Sequence, residues 1–178
     1  MILGISMAKA LYVVLLGGKH PKANIEVHDL IPLVTEHLSD SYAWLKQQWF
    51  GLQKGVHIDG WMKVNRVMYG EQCYQVTLSE TPQHAQPLKL YLINLGAYLP
   101  EQFGEVHKYV VVIATDAKHA KQQGKLAFEK QWFKPHTDAV IDIDDYLLLE
   151  QIQHYYVHLL PIENMTSDIT FQNDYIVL

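Results

Sequence analysis

A segment near the start of this chain returns further along. Leu11-Tyr12 through Glu26-Val27-His28 recurs as Leu90-Tyr91 through Glu105-Val106-His107, at a constant shift of 79 residues. Leu16, Gly17 and Pro21 keep step with Leu95, Gly96 and Pro100. A repeat at fixed period constrains architecture more than local propensity does, because both copies must satisfy the same packing. It predicts an α+β fold made by tandem duplication of a strand–strand–helix–strand–strand unit. Each repeat should carry one helix and a mixed sheet, and a pseudo-two-fold should relate the two.

The expected boundaries are 10–80 for the first repeat, 88–162 for the second and 163–178 for a C-terminal hairpin extension, packed as one body. In the first repeat, residues 11–16 read as a buried strand closed by Gly17-Gly18. Residues 26–35 read as a second strand, apolar on both faces, with Pro32 marking an edge or a bulge. Ser39-Asp40-Ser41 offers a helix cap. Tyr42, Leu45 and Trp49 follow at helical spacing, and Gly51 offers a stop. Strands over 57–68 and 74–78 complete the unit.

In the second repeat Thr115-Asp116 is the cap, with Ala117, Ala120, Gly124, Phe128 and Trp132 as the buried stripe. Past the helix the shift becomes 83, which sets Ile58-Asp59 against Ile141-Asp142. The helical crossover is expected to join two parallel neighbours. The hairpin would turn at Asn173-Asp174.

Bulk composition narrows the function. Hydrophobic residues make up 49% and charged residues 19%, as in a packed domain. The net charge of −5, with its acidic excess in the second half, argues against nucleic acid as a partner. No apolar run reaches the roughly 20 residues of a membrane span. Cys73 is the only cysteine, consistent with a reducing, cytoplasmic setting. The apolar start resembles a leader, but residues 11–17 match the internal segment 90–96.

The polar element with most chemistry is Glu-Val-His. Residues two apart on a strand share a face, so Glu26 and His28 would sit side by side, as a metal or an acid–base pair requires. The plainer reading is a strand start making local hydrogen bonds. The first copy adds Gly17, Gly18, Lys19, His20, Asn24, His57 and Asp59. Where it has Gly18, Lys19, His20, Asn24 and His57, the second has Ala97, Tyr98, Leu99, Phe103 and Val140.

The ligand-binding candidates are therefore Gly17, Gly18, Lys19, His20, Asn24, Glu26, His28, His57 and Asp59. Glu26, His28, His57 and Asp59 form the metal-ligating subset, and the site belongs to the first repeat. Gly17-Gly18-Lys19 lacks the spacing of a phosphate loop. Asp138, Asp142, Asp144 and Asp145 read as a charge-protected strand end rather than a cation site. No residue pattern fixes a catalytic role or a cofactor. The expected partner is a small molecule, or a second copy of the chain if the protein is a non-catalytic interaction module using exposed Trp44 and Trp61.

The set Leu11-Tyr12, Gly17-Gly18, Pro21, Asn24, Glu26-Val27-His28-Asp29, Trp49-Phe50 and His57-Ile58-Asp59 resembles the bacterial domain-of-unknown-function family 1543. Members of that family carry one or two copies of the domain. The resemblance spans about residues 10–160 and departs in the second copy at Ala97, Leu99, Phe103, Lys108 and Val140. It implies a two-copy α+β protein and brings no established activity.

Overall fold

The computed structural model describes residues 8–82, 86–98, 101–132, 140–163 and 165–178. Expectations at Met1–Ser6, Leu99, Pro100, Phe133, Asp138 and the middle of the 81–87 linker fall outside them. The described residues form a mixed α+β fold of ten strands in two sheets with two helices. Among them no helix is long and apolar enough to cross a membrane.

The first half runs β1 (Ala10–Gly18), β2 (Val27–Thr35), a 3-10 turn (Leu38–Ser41), α1 (Tyr42–Gln48), β3 (His57–Tyr69) and β4 (Gln72–Ser79). The second runs β5 (Lys89–Tyr98), β6 (Glu105–Ala114), α2 (Ala117–Trp132), β7 (Val140–Leu148), β8 (Gln151–Ile152) and β9 (Tyr155–Ile162), with β10 (Asp168–Val177) at the end. The larger sheet has the order β2-β1-β3-β4-β9-β8, with β10 on β3, and the smaller has the order β6-β5-β7.

Two layers of apolar contact explain these strands. Leu11 and Val13 of β1 face Leu90 and Leu92 of β5 in a core between the sheets. The alternate residues of β1, Tyr12, Val14 and Leu16, pack with Leu45 and Trp49 on the helix side. Tyr91, Ile93 and Leu95 of β5 pack the same way with Ala120 of α2. Period-two alternation thus feeds two cores at once, so both faces of each central strand are apolar. Pro32 sits in β2, at the end of the larger sheet, where a missing N–H is tolerated.

Several expectations need correction. Every strand pairing among the described residues is antiparallel, so the sheets are not mixed. β2 and β3 do run parallel, but β1 lies between them, and the crossover passes over that strand. The C-terminal segment is no hairpin: β10 is a single strand along β3, with a bulge between Asn173 and Ile176. The backbone of β3 supplies ladder partners that a two-residue turn would forgo.

Gly17 and Gly18 are the last two residues of β1. Ser41 does not cap α1, because its hydroxyl donates to the Leu38 carbonyl at 2.6 Å instead. Gln48, not Gly51, ends that helix. Asp116 does cap α2, accepting from the His119 N–H at 2.8 Å. Between β7 and β9 lie the short β8 and a tight turn at Gln153, where φ is +56°.

Candidate functional site

The ends of β1, β2 and β3 bring the cluster together. Gly17 pairs with His28 on one side and with His57 on the other. Cross-strand partners point to the same face, so both imidazoles stand beside a residue with no side chain. A methyl group at Gly17 would fall on Asp59 Oδ2 and lie 2.7 Å from His57 Nε2. Glycine here makes room for the polar groups that close over it.

Asp59 arrives by a bulge. Leu15 pairs with Gly60 and Leu16 with Ile58, leaving Asp59 as the extra residue of β3. A bulge re-aims a side chain and often borders a functional site.

The resulting distances are short. His28 Nε2 lies 3.1 Å from Asp59 Oδ2 and 3.5 Å from Glu26 Oε1. His57 Nε2 lies 3.2 Å from Asp59 Oδ1 and 3.5 Å from Glu26 Oε1. Ligand atoms of Glu26, His57 and Asp59 all fall within 4.8 Å of one another. His57 is buried, with 2% exposure, whereas Glu26 and His28 are exposed.

Burial makes His57 the informative member. Its Nδ1 sits 2.9 Å from the Gly55 carbonyl, which can only accept, so Nδ1 carries the proton. Its Nε2 and Asp59 Oδ2 are both buried without a hydrogen-bond partner. The ion-pair distances are therefore met while hydrogen-bond alignment is not: the groups lie close without donating to one another. Fixing one imidazole nitrogen on a backbone carbonyl and aiming the other into a ligand set is how metal-binding histidines are oriented.

Other candidates divide cleanly. A Cβ on Gly18 would meet the Trp49 ring at 3.0 Å, so this glycine serves packing on the helix side. The Lys19 carbonyl accepts from the Leu52 N–H at 2.7 Å. His20 packs on Phe50, with ring centroids 5.5 Å apart. Asn24 is exposed in the β1–β2 loop. Lys19, His20 and Asn24 make none of the contacts that join the quartet. Trp44 and Trp61 are half-buried against the helix-side core rather than displayed. Trp49 is buried, but Phe50 is 54% exposed and is not core.

A second cluster was missed by the sequence reading. His107 Nδ1 lies 2.9 Å from Asp144 Oδ2, and with Glu105 these groups form another close set. Gly96 lies beneath them, since a Cβ there would fall on Glu105 Oε1 and 2.6 Å from Asp144 Oδ2. Asp144 is itself a bulge residue, because Asn94 pairs with Asp145 and Leu95 with Ile143. The ladder sets Asp144, not Asp142, in the place of Asp59, and sets Asp142 opposite Gly96 where His57 is opposite Gly17. Aligning the copies on the glycines rather than on Ile-Asp would have found it.

The C-terminal strand walls the first cluster. Its bulge falls opposite Asp59 and brings the Tyr175 ring to 4.4 Å from the ring of His57. Nothing in the sequence joins these two residues, because the contact depends on β10 pairing with β3.

The family model described as Domain of Unknown Function (DUF1543) matches residues 23–78. That segment contains all four residues of the first cluster. Among solved structures, the chain is similar to a protein Il1583 from Idiomarina loihiensis, seen in a crystal structure. The two share 25% identity with a TM-score of 0.68, over 95% of this chain and 97% of that one. No curated protein matches.

Proposed function

We propose that this protein binds a first-row divalent metal ion through Glu26, His28, His57 and Asp59. The observation that carries the reading is His57: a buried imidazole whose Nδ1 is fixed on Gly55 and whose Nε2 meets two carboxylates without hydrogen-bond geometry. Two imidazoles and two carboxylates suit zinc, iron, cobalt or manganese better than the all-oxygen preference of calcium or magnesium. A cation would also offset the repulsion between Glu26 and Asp59.

Charge balance alone has a second solution, in which protonated histidines pair with the carboxylates. That alternative expects Nε2 to donate along a good hydrogen-bond axis, and His57 does not. Elemental analysis of the purified protein and a melting assay separate the two. A bound ion at a hundredfold excess over its Kd adds about 2.7 kcal/mol, which is roughly 5–10 °C for a chain of this size. His28→Ala and His57→Ala should each abolish the shift. No bound metal and no shift for any first-row ion would end the reading.

The same proposal includes the duplication, with copies over 10–80 and 88–162. The β4–β9 ladder supports it. Thr77 pairs with His158, flanked by Val76 with Leu159 and Leu78 with Val157. Exchanging the halves by 81 residues maps this ladder onto itself, as a pseudo-two-fold through the Thr77–His158 pair requires. A cytoplasmic location fits the single, buried Cys73.

A further inference from the structure

We infer that the cleft between the two sheets beside His28 is a binding site for a small organic ammonium ion. The inference deepens the metal reading, because His28 faces both the cluster and this cleft. The cavity is about 220 Å³ and takes its lining from both halves, roughly the liquid volume of seven waters. That is room for a short alkyl chain with one polar head, below the size of drug-like pockets.

The apolar part is Leu30 from β2, Leu92 from β5 and Leu147 from β7. Ladder pairing sets Leu92 against Leu147 and against Val111, so these side chains share the inter-sheet face. The polar part is acidic. Asp29 and Asp145 both line the cavity, and neither Lys nor Arg does. Each carboxylate uses Oδ1 to accept from the next backbone N–H, at 2.9 Å for Asp29 and 2.7 Å for Asp145. That bond fixes the carboxylate while leaving it acceptor capacity for a ligand.

Tyr109 also lies on the lining. Burial first, then the charges of Asp144 and Asp29, hold its phenol above the ordinary tyrosine range. Leucines for the chain and carboxylates for the head define a short alkylammonium better than a neutral alcohol or an acid.

The test is a titration of propylammonium, 1-propanol and propionate into isotope-labelled protein, followed by NMR, with the protein metal-free and zinc-loaded. Propylammonium should saturate in the metal-free protein and move the methyl signals of Leu30, Leu92 and Leu147. Its affinity should exceed that of 1-propanol by about tenfold or more, and propionate should not bind. Asp145→Asn keeps the backbone-accepting oxygen and should weaken the amine about tenfold while leaving zinc binding unchanged. Leu147→Trp, at a partly exposed position, should block the cleft. Equal binding of amine and alcohol, an unaffected Asp145→Asn, or shifts elsewhere in the molecule would each overturn the proposal. Because the metal-free arm is independent of zinc, failure of the metal reading shows separately, as a flat zinc titration.

Discussion

The Nδ1 atom of His57 lies 2.9 Å from the carbonyl oxygen of Gly55. This one bond orients a buried ring and turns Nε2 toward Glu26 and Asp59. Gly55 can hold the position because its φ of +80° turns the chain just before β3 begins. The metal reading follows from that relationship, and so do several measurable consequences.

Gly17→Ala should abolish metal binding. The new methyl group would occupy the space taken by Asp59 Oδ2 and crowd His57 Nε2. Overpacking of this kind costs about 1–3 kcal/mol. A calorimetric zinc titration beside a denaturant melt checks both parts. Unchanged zinc affinity in a folded Gly17→Ala protein would show that the glycine has no role in the cluster.

Leu45→Ala should destabilise the protein by about 2–5 kcal/mol. Leu45 is fully buried and joins the single short helix of the first half to β1. Isolated seven-residue helices do not persist in water, so α1 depends on this contact. Chemical denaturation measures the loss, and a value under 1 kcal/mol would contradict the packing described.

Deleting residues 168–178 should expose the β3 edge and loosen the metal site. β10 supplies the ladder along β3 and the Tyr175 ring on His57, and Lys46 Nζ donates to the Leu178 carbonyl at 2.6 Å. Hydrogen exchange at residues 57–64 should rise, with aggregation through the freed edge. Tyr175→Ala alone should leave the ladder intact and change only metal exchange.

Acid should weaken α2 before it weakens α1. The His119 N–H bond, with help from Thr115, holds Asp116 below the ordinary carboxylate range. A depressed carboxylate stabilises the fold above its unfolded pKa, and that stability is lost as pH falls through the folded value. Exchange rates along α2 should therefore increase as pH drops below the usual carboxylate range, and Asp116→Asn should remove that dependence. α1 has no side-chain cap bond to lose.

The repeat made much of the fold legible. The spacing of the recurring segments located eight of the strands and both helices, because alternating apolar residues and an apolar helical stripe recur in both halves. What it could not show was set by contacts distant in sequence. The side of β1 on which β3 lies, and the docking of β10 in place of a hairpin, depend on edges that no local pattern reveals. The cluster was half legible. Glu26 and His28 stand out by their spacing, and His57 by its replacement with Val140 in the aligned second copy, next to an Ile-Asp that both copies keep. On the ladder β3 and β7 correspond at a shift of 144 − 59 = 85, not 83, so alignment on Ile-Asp placed the second cluster two residues away and concealed it. Lys19, His20 and Asn24 looked functional because they are polar and near in sequence, yet Lys19 and His20 make their contacts with Leu52 and Phe50, and Asn24 is exposed.

Glu26, His28, His57 and Asp59 are proposed to hold one metal ion together. Anomalous diffraction at the zinc edge, on crystals grown with stoichiometric zinc, tests it most directly. The expected result is a peak about 2.0–2.2 Å from His28 Nε2, His57 Nε2 and a carboxylate oxygen of Glu26 and of Asp59. A map with no peak among these four residues, or with zinc bound only elsewhere on the molecule, would contradict it.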